Sequence, residues 1–116
     1  MQRNKIKDEA IKKYTFLSEM YSDAYFPNFL VDKLKNILLE LCYNMEIKTP
    51  KNLAELYLLT HFSTEKINLL QEEFYENESE IETAARDTIG SDFEFIAKTY
   101  GFEEADIEEL IAPRDW

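Results

Sequence analysis

The chain has 116 residues, of which 45% are hydrophobic and 14% aromatic, and it carries a formal net charge of −11 at pH 7. This length and apolar content exclude a disordered chain and predict one domain with one hydrophobic core. The single cysteine, Cys42, excludes an intramolecular disulfide. Because the sequence contains neither a signal-peptide pattern nor about 18 consecutive apolar residues, we expect a cytoplasmic protein without a membrane span.

The first predicted helix spans about Asp8 to Tyr21, and residues 1–13 are expected to be either a flexible basic arm or its beginning. Residues 14–116 are predicted to form a single helical domain. Between Asn28 and Ile47 the apolar positions recur at intervals of three and four, which is typical of a helix with one face in a core. We expect this segment to be the central helix of the fold.

Capping residues mark where the later helices begin and end. Helix starts are predicted at Thr49-Pro50, at Ser63 or Thr64, and at the capping boxes Ser79/Glu82 and Ser91/Glu94. Gly90 and Gly101 stand where the C-terminal glycines of helices belong, and a last short helix, near Glu104 to Ile111, ends before Pro113. The sequence therefore predicts an all-α, compact single-domain bundle of about six to seven helices without a β-sheet.

Residues 71–83, QEEFYENESEIET, contain six glutamates at the junction of two predicted helices. Four of them gather at the C-terminal end of the first helix, where the helix dipole already places partial negative charge. Local structure does not explain these four, so they are candidates for binding a partner: Glu72, Glu73, Glu76 and Glu78.

Aromatic residues supply three further candidates for partner binding. Tyr25 and Phe26 belong to an aromatic link before the central helix, which either lines an anchor patch or plugs the end of the bundle. Trp116, the single tryptophan, either docks on the domain or forms an exposed tag for a partner.

The negative charge belongs to the second half of the chain. Up to Lys51 there are nine basic and seven acidic residues, whereas from Asn52 onward four basic residues face seventeen acidic ones. The negative electrostatic potential of this half repels nucleic acid and anionic lipid and attracts basic surfaces. Our first hypothesis is therefore a small acidic protein-binding module, of inhibitor, immunity or regulatory type, that recognises a basic protein and neither nucleic acid nor membrane.

The alternative hypothesis is a small metal-dependent enzyme. Carboxylates and an imidazole on helical spacing can share a cation, and the candidate ligands are His61, Glu65, Glu72 and Glu76. Against an enzyme, the chain has one histidine, and Cys42 lies on an apolar helix face where its thiolate is disfavoured. The sequence contains no phosphate-cradling loop, so we assign no catalytic residue, expect no cofactor and lean against catalysis.

Four stretches of the chain resemble the bacterial family filed as domain of unknown function 5713. They are YTFLSEMYSDAYFP, LVDKLKNILLELC, LYLLTHFSTEKINLLQEEFYENESEIETAARDTIG and FIAKTYGFEEADIEELIAPRDW. The resemblance covers about Tyr14 to Trp116, and its ending APRDW is specific. It implies a small single-domain protein of the bacterial cytosol and supplies no activity.

Overall fold

The computed structural model describes residues 3–116, which form one short 3-10 turn and six α-helices. The turn spans Arg3–Lys5, and the helices are α1 Glu9–Lys13, α2 Ser18–Tyr21, α3 Asn28–Lys48, α4 Leu53–Glu76, α5 Thr83–Thr99 and α6 Ile107–Leu110. No strand occurs in this part of the chain, so the prediction of an all-α fold is confirmed. No helix in the described range is both long enough and apolar enough to cross a membrane.

Helices α3 and α4 form an antiparallel hairpin that is the largest unit of the fold. Two ion pairs show their alignment: Lys33 Nζ lies 2.7 Å from Glu73 Oε2, and Lys66 Nζ lies 2.9 Å from Glu40 Oε2. The predicted central helix is confirmed as α3, whose apolar stripe is buried along its whole length. The buried residues of α3 are Leu30, Val31, Leu34, Ile37, Leu38, Leu39, Leu41, Cys42 and Met45.

Helix α4 is one continuous helix, and the predicted new start at Ser63 or Thr64 is wrong. The Thr64 hydroxyl donates to the Thr60 carbonyl at 2.9 Å, so it is satisfied inside the helix and does not cap an end. The predicted start at Thr49-Pro50 is also wrong. The N-cap is Asn52, whose side chain accepts from the Glu55 amide at 2.9 Å.

Helix α5 overturns both predicted capping boxes. It begins after Glu82, whose side chain makes no capping hydrogen bond, while Ser79 is buried outside the helix and Ser91 lies within it. Gly90 is therefore an interior residue and not a C-terminal one. The prediction for Gly101 is confirmed: it has φ 96° after the end of α5, and the next amide donates back to the Ala97 carbonyl at 2.9 Å.

The predicted first helix is broken into α1 and α2 by Leu17, which has a left-handed φ of 56°. Upstream of this break, Ile6 and Ile11 are fully buried, so residues 3–13 pack against the rest of the fold. The first two residues of the predicted arm lie outside the described part of the chain.

Helix α5 packs against α1, α2 and α6, and α6 also contacts α4. These elements cover one side of the α3–α4 hairpin and enclose the core. The last short helix is confirmed but is limited to α6, with Asp106 as its N-cap. Within residues 3–116, no helix packs on the opposite side of α4, where Leu58 and Leu69 are exposed.

Candidate interaction surface

A row of side chains runs along the side of α4 that faces away from the core. Spacings of three, four and seven place these residues within about 80° of one another around the helix axis. We call this row the outer strip; it consists of Leu58, Phe62, Glu65, Leu69, Glu72 and Glu76. The apolar members are 72%, 58% and 81% exposed in chain order, which is unusual for large apolar side chains on one face.

A groove adjoins the outer strip on its α3 side. It has a volume of about 440 Å³ and is lined by Asn44, Lys48, Pro50, Glu55, Leu58, Leu59 and Phe62. The ammonium group of Lys66 stands 4.9 Å from the centre of the Phe62 ring and pairs with Glu40, so this cation is already engaged. The groove therefore offers an apolar recess next to a strip whose charged members are all acidic.

The four predicted glutamates at the end of α4 separate into one paired and three unpaired side chains. Glu73 pairs with Lys33, and its backbone carbonyl accepts from the Asn77 side chain at 2.8 Å. The side chains of Glu72, Glu76 and Glu78 are exposed and have no hydrogen-bond or ion-pair partner within residues 3–116. The unfavourable charge at this helix end is thus only partly compensated inside the molecule.

The aromatic link leads into the start of α3. Because the hairpin is antiparallel, the start of α3 lies beside the end of α4, as the Lys33–Glu73 pair shows. Phe26 is buried at 3% exposure and packs edge-to-face on Tyr25 with ring centres 5.1 Å apart. Tyr25 remains 44% exposed, and Phe29, which the sequence did not single out, is 51% exposed.

Trp116 does not belong to this surface, because it is docked on the fold with 7% of its surface exposed. Its backbone carbonyl accepts from Arg86 Nε at 3.1 Å. The Asn68 side chain holds the same tail, donating to the Pro113 carbonyl at 3.0 Å and accepting from the Asp115 amide at 2.9 Å. Of the two alternatives predicted for Trp116, the structure shows the docked one.

The candidate metal ligands do not converge. His61, Glu65, Glu72 and Glu76 are spread along a single helix, and the rise of 1.5 Å per residue separates His61 from Glu76 by about 22 Å. His61 Nε2 donates to the Glu109 carbonyl at 2.6 Å. Within the described residues, no group of three or more His, Cys, Asp or Glu side chains could hold a metal ion.

Two ionisable residues of α3, the buried Cys42 and the half-buried Glu46, interact with neighbouring parts of the fold. Burial raises the pKa of the Cys42 thiol, and the nearby Glu46 carboxylate raises it further. Burial also acts to raise the pKa of Glu46, but hydrogen bonds from Tyr100 and from the amides of Lys7 and Asp8 outweigh it and lower that pKa. Glu46 thereby ties α3 to the N-terminal segment and to the end of α5, and Cys42 is held as an inert thiol.

The apolar part of the outer strip was not recognised from the sequence. Leu58, Phe62 and Leu69 are spaced by four and seven, which is the signal of one helix face. That signal extends across Ser63 and Thr64, where we expected a helix to begin. Because α4 is one continuous helix, the same spacing places all three on the side opposite the core. We missed these residues because we had divided the helix into two.

Comparison with known proteins gives a family and no activity. Residues 10–116 match the model of a family described as Family of unknown function (DUF5713). Neither the curated proteins nor the solved structures contain a significant match to the chain.

Proposed function

The chain belongs to DUF5713, a family of unknown function, and from this premise we propose that it is a small acidic protein of the bacterial cytoplasm that binds a basic protein surface. Its role would be that of an inhibitor, an immunity protein or a regulatory subunit. The observation that carries the proposal is the set of unpaired glutamates at the end of α4, Glu72, Glu76 and Glu78. The start of the neighbouring helix α3 and the link before it add the exposed rings of Phe29 and Tyr25.

The energetics of this helix end support a partner. A negative side chain in the last turn of a helix, as Glu76 is in α4, destabilises the helix by a few tenths of a kcal/mol, up to about 1 kcal/mol, and Glu72 and Glu78 flank that turn. On binding, lysine or arginine side chains of a partner would pair with these carboxylates and make their contribution to the free energy favourable. The same charges would also raise the association rate by about 10- to 1,000-fold at low salt.

The alternative of a metal-dependent enzyme has no comparable support. Its four candidate ligands lie on one helix and are too far apart to share an ion. Cys42 is buried with a raised pKa, so it does not offer a thiolate nucleophile. Binding is therefore the function that the geometry supports better.

A charge-reversal experiment tests the proposal. We would compare the wild-type protein with the triple variant Glu72→Lys/Glu76→Lys/Glu78→Lys as bait in bacterial lysate, at low and at high salt. A second triple variant, Asp87→Lys/Glu103→Lys/Glu104→Lys, changes three exposed acids elsewhere. Each variant replaces three acids by three lysines and so changes the net charge equally, from −11 to −5.

We expect a basic protein to be recovered by the wild type and by the second variant at low salt, and to be lost with the first variant and at high salt. Recovery of no partner, or of a partner whose binding is indifferent to salt, would overturn the proposal. Equal loss with both variants would show that only net charge matters, which contradicts a surface at the end of α4.

A further inference from the structure

Resting on that proposed function, we infer that the partner presents an amphipathic α-helix with lysine or arginine beside its apolar face, and that this helix lies along the outer strip of α4. The strip runs from Leu58 to Glu76, a length of about 27 Å at 1.5 Å per residue. A helix of about 18 residues matches that length. Recognition would then depend on apolar contact as well as on charge.

Charge complementarity favours a partner helix that carries basic residues. The three charged residues of the outer strip are Glu65, Glu72 and Glu76, and all three are exposed. The single basic residue of α4, Lys66, is paired with Glu40 and does not neutralise them. An apolar helix without basic residues would bury these carboxylates without partners, which is strongly unfavourable.

The arrangement along the strip defines the partner further. Leu58 and Phe62 lie at its N-terminal end next to the 440 Å³ groove, whereas Glu72 and Glu76 lie at its C-terminal end. The apolar side chains of the partner helix would therefore contact the first half of α4 and enter the groove. Its basic side chains would concentrate opposite the second half.

A second copy of this chain is a poor occupant. If two outer strips packed in antiparallel orientation, Glu72 and Glu76 of one copy would face Leu58 and Phe62 of the other. Carboxylates would then lose water without gaining cations. Two chains that each carry a net charge of −11 would also repel each other.

An extended segment is also a poor occupant. Within residues 3–116 there is no strand, so no sheet edge is available to pair with one. A helix surface, by contrast, packs efficiently against another helix at an axis separation of about 8–10 Å. The recognition mode expected here is a helix laid on an apolar helix face, with anchors repeating every three or four residues.

The test uses the full chain and two synthetic peptides of about 20 residues that form helices. The first peptide carries leucines on one face and lysines along the margins of that face. The second has the same composition and charge, with the leucines distributed around the helix. Backbone amide chemical shifts of the labelled protein are followed as each peptide is added.

We expect the first peptide to shift the amides of α4 from Leu58 to Glu76 and to bind at least about tenfold more tightly than the second. Leu58→Ser/Leu69→Ser should weaken its binding by a similar factor. The matched control Ile47→Ser/Tyr75→Ser removes two exposed apolar side chains outside the strip, which are 56% and 60% exposed, and should leave binding unchanged.

Three results would overturn the inference: no shifts with the first peptide, shifts confined to another part of the surface, or self-association of the free chain abolished by Leu58→Ser/Leu69→Ser. Equal, salt-sensitive binding of both peptides at the end of α4 would also reject recognition of an amphipathic helix through its apolar face, while leaving the proposed binding of a basic surface intact. Different results would therefore overturn the partner-helix inference and the proposed binding of a basic surface.

Discussion

The carboxylate of Asp92 on α5 accepts a hydrogen bond from the backbone amide of Leu17 at 2.7 Å, although the two residues are 75 positions apart in the sequence. Its other oxygen accepts from the Tyr14 hydroxyl, also at 2.7 Å. Leu17 is the left-handed residue between α1 and α2. Asp92 thus satisfies the amide that the break leaves free and joins the N-terminal segment to α5.

Removal of this carboxylate should loosen the N-terminal segment. We expect Asp92→Ala to lower the free energy of unfolding by about 2–4 kcal/mol, because two donors lose their acceptor in a buried place. Asp92→Asn should have a smaller effect, since its carbonyl oxygen can still accept from the Leu17 amide. Denaturant unfolding of the three proteins measures both values, and equal stability of wild type and Asp92→Ala would refute this role.

The contribution of Asp92 should depend on pH. Burial raises its pKa above the ordinary aspartate value and outweighs the two hydrogen bonds, which lower it. A group with a raised folded-state pKa stabilises the fold most below its unfolded-state pKa, and this stabilisation is lost as the pH rises through the folded-state pKa. The stability of wild type relative to Asp92→Asn should therefore fall as the pH rises from about 3 to neutral. The opposite slope would contradict a raised pKa.

Thr49 ends α3 in a left-handed conformation, with φ 42° and ψ 66°. A β-branched residue is strained there, whereas glycine adopts this conformation freely. Thr49→Gly should raise the free energy of unfolding by about 0.5–1 kcal/mol. The matched control is Lys48→Gly, one position earlier within the helix, which should lower stability by about 1 kcal/mol. Thermal unfolding compares them, and a destabilised Thr49→Gly would be inconsistent with strain at this position.

Gly90 lies within α5 where α6 crosses close to it. A Cβ atom at this position would stand 3.0 Å from Cγ2 of Ile107, which is tighter than most packing contacts, so the Ile107 side chain would have to move by a few tenths of an ångström. We expect Gly90→Ala to lower stability in the wild type despite the better helix propensity of alanine. In an Ile107→Ala background the contact is absent, so the same substitution should raise stability by about 1 kcal/mol. Equal effects in the two backgrounds, measured as a double-mutant cycle, would rule out the contact.

The features predicted correctly are those that neighbouring residues determine. The apolar stripe of α3 follows from local spacing, and Gly101 ends α5 because its conformation favours glycine. The missed features depend on distant residues. Leu17 breaks the first helix with Asp92 as partner, and the hydroxyl of Thr64 is satisfied within α4 and also approaches the Leu110 carbonyl at 3.5 Å.

The same distinction between local and distant causes applies to the candidate surface. The glutamates at the end of α4 were recognised from the sequence because their clash with the helix dipole is local. Leu58 and Leu69 were missed because their exposure depends on which side of α4 the other helices cover. Apolar spacing alone does not distinguish a core face from a docking face.

Trp116 offers a direct test of how the end of the chain is held. It is the single tryptophan and is 93% buried, with its carbonyl bound to Arg86. We expect its fluorescence in the folded protein to be blue-shifted relative to the unfolded chain and protected from iodide quenching. Trp116→Ala should lower the free energy of unfolding by about 2–4 kcal/mol, because a large apolar side chain leaves the core.

The control for this substitution is Tyr75→Ala, which removes an aromatic ring that is 60% exposed on α4 and should change stability by no more than about 0.5 kcal/mol. Arg86→Ala should give an intermediate loss of about 1 kcal/mol, because it removes the hydrogen bond to the Trp116 carbonyl and leaves the indole in place. If Trp116→Ala were as stable as Tyr75→Ala and the indole were quenched as readily as in the unfolded chain, the tail would be undocked in solution. The tryptophan would then be available to a partner, and the binding surface would have to include it.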